Sequence, residues 1–248
     1  MSYQKHPLFE PPERDDATLW RYMDFTKFVW MLENRSLFFS RADRLSDSWE
    51  GAVSELNVIG RQLTEFMAPS GEADNLARLN EAMRLHTFIS CWHENDHESA
   101  ALWRLYSRSE ENTVALRTTL QRLRSSFDCY ETHDIYIGKV KYIDYSKERI
   151  PEGNVYAPFL YERKSFAHEN EVRAVVQPIW PSSEPLVGSP PSFEHGMPVS
   201  IDLSTLVEEV YVSPTSPTWI GALAAAVSRN YGIQVGIRRS SLASDPMY

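Results

Sequence analysis

The stretch Leu19–Ser40, LWRYMDFTKFVWMLENRSLFFS, decides the fold class. Leu19–Tyr22 carries bulky apolar and aromatic residues and reads as a strand. Asp24 has N-cap character, and Phe25, Phe28, Val29 and Leu32 follow at helical spacing, so one face of a helix is apolar. Asn34 suits the left-handed residue that closes a helix, and Ser36–Ser40 returns to strand character. Helix and strand therefore alternate locally from the start of the folded part.

Upstream, residues 1–17 are polar and Pro-rich and read as an arm, leaving 18–248 as one domain. Downstream, RADRLSDSWEG is a loop of turn formers, and Val53–Leu85 reads as helical with a break near Pro69, Ser70 and Gly71. His86–Trp92, HTFISCW, has the apolar bias of a buried strand, and a helix is expected over Ser99–Tyr106. Thr113–Leu116, Tyr136–Tyr145, Glu171–Val176, Val207–Val212 and Gln234–Arg238 read as strands. Thr118–Phe127, Val155–Phe166 and Trp219–Tyr231 read as helices, and 178–198 as a long Pro- and Ser-rich surface loop. Without strict βαβ alternation the class is α+β, with a central mixed, largely antiparallel sheet flanked by helices.

The chain of 248 residues is 42% hydrophobic and 24% charged, enough to build a substantial core. A net charge of −9 argues against general affinity for nucleic acid or anionic membranes, which need clustered Lys and Arg. A local basic pocket for a nucleotide is compatible with that charge. Arg117, Arg122 and Arg124 cluster in sequence but suit a solvated helix face. Two cysteines exclude a disulfide framework. Neither an apolar leader nor a run of membrane-spanning length occurs, so the cytoplasm is the expected compartment.

His93–His97, HENDH, matches the zinc-peptidase pattern H-E-x-x-H. That chemistry needs a buried helix, whereas Asn95 and Asp96 are polar and FISCW before them is strand-like, so a strand-to-helix loop is expected and no metal. Cys91, flanked in a strand by Ile89 and Trp92, reads as a small core residue rather than a nucleophile. In LSDSWEG, Asp47 and Glu50 flank Trp49. They suit either a ligand or partner surface, or a turn anchored by the indole. In RKSFAHENEVRAVV, Glu169 and Glu171 share a face at the entry of a strand. Like charges so placed mark either a site or an edge paired to Arg163 or Arg173.

LWRYMDF…LENRSLFFSRADRLSDSWEG, FISCWHENDHESAALWRLYS, YERKSFAHENEVRAVV and YGIQVGIRRSSLAS together resemble the bacterial family catalogued as domain of unknown function 2971. The resemblance spans nearly the whole chain, and in the first block Asn and Pro of the family's loop are replaced by Ser46 and Ser48. A fainter similarity links Arg21, Ser90 and Glu169-Asn170-Glu171 to ADP-ribosyltransferases, which place an Arg or His, a Ser or aromatic, and a Glu on successive strands around NAD. This implies a split sheet with NAD as substrate. Glu171 or Glu169 would steady the oxocarbenium-like sugar, Arg21 would hold phosphate, and Tyr22 or Trp92 would stack on nicotinamide. The alternative for Arg21 is a salt bridge to Glu171 or Asp47.

The expected activity is cleavage of the nicotinamide–ribose bond by a transferase acting as a toxin or anti-phage effector, with an unspecified macromolecular acceptor. The rival is a binding or regulatory module presenting Asp47, Trp49 and Glu50. A zinc hydrolase through His93 and His97 ranks below both.

Overall fold

Seven residues of β1 (Thr18–Asp24) contain five buried ones, because strands flank it on both edges and side chains cover both faces. The computed structural model describes residues 3–106, 110–178, 186–190 and 193–244. Helix α1 (Phe25–Asn34) buries Phe28, Met31 and Leu32 and leads into β2 (Ser36–Arg41). Helices α2 (Glu55–Met67) and α3 (Glu72–Leu85) precede β3 (Phe88–Glu94), and α4 (Ala100–Leu105) follows it. Next come β4 (Thr113–Thr119), α5 (Leu120–Ser126), β5 (Tyr136–Lys139), β6 (Lys141–Ile143), β7 (Tyr161–Arg163) and β8 (Glu171–Val176). The chain continues through β9 (Gly196–Ser200), α6 (Leu203–Leu206), β10 (Glu209–Val212), α7 (Thr218–Asn230) and β11 (Gly236–Arg239).

The main sheet runs β11-β10-β4-β1-β3-β2-β9, with β8 joining β3 to β5. Only the β10–β11 pair in it is parallel among the described residues, so the α+β class with a largely antiparallel sheet holds. Strands β6 and β7 form a separate parallel pair.

The decisive feature is the pairing of β3. One edge is matched to β8 from Phe88 to His93. The other edge is shared: β2 takes its start, through Ile89 with Ser40 and Phe88 with Arg41. Strand β1 takes its end, through His93 with Trp20 and Glu94 with Leu19. The two neighbours part between these contacts, and the sheet is split where Ser90, Cys91 and Trp92 lie.

Strand β8 is buried at every position. Val172, Ala174 and Val176 face a core containing Phe28, Leu37, Phe39, Phe88 and Trp92. Val175 faces a second cluster with Phe9, Ile89 and Phe159. Both faces are covered, so Ala174, Val175 and Val176 are apolar without alternation, while Glu171 and Arg173 share the face of Val175 and are buried as an ion pair.

Several elements differ from the sequence reading. The left-handed residue after α1 is Arg35 (φ 45°), while the Asn34 side-chain amide donates to the Trp30 carbonyl. The helix expected over Val155–Phe166 is a pair of 3-10 turns around β7, because Pro158 brings no N–H and Tyr161–Arg163 pairs with β6. The strand expected over Tyr136–Tyr145 breaks at Val140, whose N–H turns to the Glu171 carbonyl. Within the loop expected over 178–198, residues 179–185 and 191–192 lie outside the described residues, and 196–198 belong to β9. That edge strand accommodates Pro198 opposite Phe38.

The arm is not free of the core. Tyr3 bridges to Ile135, the Lys139 N–H donates to the Glu10 carbonyl, and Phe9 is buried. Gly138 permits this approach, since a Cβ there would sit 2.8 Å from Phe9 Cα. Among the described residues no helix is long and apolar enough to cross a membrane.

Candidate functional site

The fork opens into a cavity of about 620 Å3, an ordinary size for a small-molecule site. Arg21 and Tyr22 of β1, Phe38 of β2, Cys91 and His93 of β3, and Glu169 and Glu171 line it. Helix α1 contributes Lys27, Trp30 and Met31, which share a face by their spacing of three and four.

Arg21 spans the split. Its Nη1 donates to Ser90 Oγ at 2.6 Å and its Nη2 to the Phe38 carbonyl at 3.0 Å, so one side chain ties β1 to both β3 and β2. The guanidinium lies 5.6 Å from the centre of the Trp92 ring. Among the described residues no carboxylate lies within ion-pair distance of it. Burial pushes its pKa down to about 10, which leaves it cationic at neutral pH. Two bonds to neutral acceptors use two of its five donors.

Ser90 is fully buried and also accepts from Trp92 Nε1 at 3.2 Å. It therefore orients Arg21 from beneath the cavity. Tyr22 and Trp92 are both nearly fully buried, the Tyr22 hydroxyl accepting the Ser99 N–H at 2.7 Å. Trp30, partly exposed and edge-on to Phe38, is the aromatic that the cavity presents more openly.

The carboxylates stand on the β8 side. Glu169 belongs to a 3-10 turn, and Asn170 after it is left-handed (φ 39°), so strand alternation does not govern the pair. The turn nevertheless brings both glutamates to the cavity. Tyr106 donates its hydroxyl to Glu169 Oε2 at 2.9 Å, and burial raises the Glu169 pKa. His93 holds the same turn through Nδ1 and the Glu169 carbonyl, and burial lowers its pKa.

Glu171 accepts from Arg173 Nε and Nη2, each at 3.0 Å. Arg173 also grips Glu50 in a bidentate pair at 2.7 and 2.9 Å and donates to the Phe159 carbonyl at 2.8 Å. Glu162 lies 3.4 Å from Nη2. Desolvation pushes the Glu50 pKa up to about 7 and that of Glu162 up to about 8. Cys91 lines the cavity next to this cluster, where burial holds its thiol well above the usual range and therefore protonated.

Arg21, Tyr22, Ser90, Trp92, Glu169 and Glu171 thus converge. Glu50 reaches the cluster only from behind, through Arg173. Asp47 does not line the cavity: it accepts from Arg163 at 2.8 Å and from the Trp49 N–H at 3.1 Å. The salt bridge considered for Arg21 with Glu171 or Asp47 is not formed, whereas the pairing of Glu171 with Arg173 is. His93 ends β3 and His97 sits in an exposed turn, so HENDH never forms one helical turn. Sequence reasoning missed Lys27, Trp30 and Tyr106. The first two were legible as the exposed face of α1, while nothing local marks Tyr106.

No protein-family model and no curated protein matches the chain. Among solved structures it is similar to Thermus sp. 2.9 DarT in complex with NAD+, at 8% identity over 95% of this chain and 100% of that one, with a TM-score of 0.44. The same protein in complex with carba-NAD+ gives 9% identity, 92% and 96% coverage and a TM-score of 0.42. In complex with ADP-ribosylated ssDNA it gives 10% identity, 92% and 96% coverage and 0.40.

Proposed function

We propose that the cleft binds NAD or a related nucleotide, cleaves the nicotinamide–ribose bond and passes the ADP-ribosyl group to an acceptor. The observation that carries this reading is the polarity of the cavity. A half-buried guanidinium without a carboxylate partner stands on one wall, and two carboxylates stand on the other. A ligand that is anionic at one end and carries a cationic ring next to sugar hydroxyls at the other matches that polarity. Arg21 would take the pyrophosphate by charge-assisted bonds, with Lys27 of α1, which also lines the cleft, adding charge.

Glu171 would accept a ribose hydroxyl and face the positive charge that develops at C1′. As the C–N bond breaks, its electron pair leaves with nicotinamide and neutralises the pyridinium ring. The acceptor's nucleophile then bonds to C1′ and its proton passes to a base. Glu169, with a raised proton affinity, suits that task. A surface built on Asp47 and Glu50 gains no support, because Arg163 and Arg173 already engage both carboxylates.

Purified protein incubated with NAD should release nicotinamide, and Glu171→Gln should abolish the release while the protein stays folded. Absence of release in the presence of candidate macromolecular acceptors contradicts the reading.

A further inference from the structure

The bonds around Arg173 can be counted. A guanidinium has five N–H donors. Glu171 takes two of them, Glu50 two and the Phe159 carbonyl one. Glu162 Oε2, at 3.4 Å from Nη2, is a sixth acceptor with no proton left for it. The same Nη2 faces Glu50 Oε2 at 2.9 Å and Glu171 Oε2 at 3.0 Å, so three carboxyl groups crowd one nitrogen that has two hydrogens. All four side chains are buried, with at most 7% exposed.

We propose that Arg173 is a positioning residue that fixes the Glu171 carboxylate in the cleft, and that it does so only while Glu162 is uncharged. An ionised Glu162 competes for Nη2 and loosens one of the two bonds holding Glu171. This inference rests on Glu171 acting in the cleft, although the competition itself does not depend on NAD.

The groups around Glu162 bear this out. Arg173, Glu171, Glu50 and Glu169 act on it electrostatically, and three of the four are acidic. Tyr142 of β6 donates no positive charge: its hydroxyl accepts the Glu171 N–H at 2.9 Å. Cys91 of β3, on the other side of Glu171, is a neutral thiol. Burial and this acidic company hold the Glu162 carboxyl protonated up to about pH 8.

The test has two arms on the full chain. In the first, nicotinamide release from NAD is followed from pH 6 to 10 for the wild type, Glu162→Gln and Arg173→Lys. The wild-type kcat should fall above about pH 8, and Glu162→Gln, which cannot ionise, should extend the plateau upward. Arg173→Lys, which cannot make the two-pronged bond, should lower kcat more than tenfold while KM changes less than threefold. Superimposable wild-type and Glu162→Gln profiles, or an undiminished kcat in Arg173→Lys, overturn the proposal. In the second arm, carboxyl carbons are followed by NMR in the ligand-free protein. The Glu171 signal should shift with the titration of Glu162 and lose that step in Glu162→Gln. An indifferent Glu171 signal overturns the proposal even if NAD is a substrate. A responsive one upholds the coupling even if no nicotinamide is released, in which case the NAD reading alone fails.

Discussion

Arg21 Nη1 donates to Ser90 Oγ at 2.6 Å at the point where β1 and β2 part from each other along β3. A charged group from one strand thereby closes a split in the sheet while its remaining donors stay available to the cavity. That single bond both braces the sheet and orients the guanidinium.

Ser90→Ala removes the acceptor of both Arg21 and the Trp92 indole, in a position with no exposure. Leaving buried donors unpaired costs roughly 1–3 kcal/mol. Urea denaturation should show that loss, and calorimetry should show weaker NAD binding because Arg21 is no longer aimed.

Glu50 and Glu162 should be energetically coupled. Removing one partner of a buried ion pair costs about 3–5 kcal/mol, but in Glu50→Ala the surplus carboxyl of Glu162 can take over the vacated N–H groups. The single substitution should therefore fall at the low end of that range. Glu50→Ala with Glu162→Gln should cost more than the sum of the two singles. Additive losses in a denaturation cycle contradict the count of donors.

Stability should decline between about pH 6.5 and 8. Glu50 and Glu162 have folded pKa values of about 7 and 8 against 4.5 when unfolded, so the folded state binds more protons and loses stability as pH rises through this range. The buried His86 and His93 and the half-buried His133 have lowered values, and their contribution rises with pH only up to 6.5. Asp144, lowered by its bonds to Ser146, acts at still lower pH. Melting temperatures above pH 6.5 thus isolate the glutamates, and Glu162→Gln should flatten the decline.

Gly138→Ala should displace the N-terminal segment, because the added Cβ meets Phe9 Cα at 2.8 Å. Amide exchange of the Lys139 N–H, which donates to the Glu10 carbonyl, should accelerate while that of β1 stays protected.

Much of the fold was legible in the sequence. Strand β1, helix α1 and β2 follow from the apolar spacing of Leu19–Ser40, and β8 from EVRAVV. The convergence of Arg21, Ser90 and Glu171 was expected from their order on strands, yet the split that brings them together depends on how β3 divides its edge, a long-range pairing that no local pattern encodes. Glu169 illustrates the limit. It faces the cavity through a 3-10 turn and the left-handed Asn170, not through the alternation that suggested it. Strand β9 was hidden by Pro198 at a sheet edge, and Phe9 by the polar residues around it.

Calorimetric titration of NAD into the wild type and Arg21→Ala is the most direct measurement of the central claim, made on protein whose melting temperature is recorded in parallel. Binding by the wild type, weakened roughly tenfold or more in the variant as a charge-assisted contact is lost, is the expected result. No binding by the folded wild type, or equal affinity in the two proteins, would contradict the assignment of the cleft.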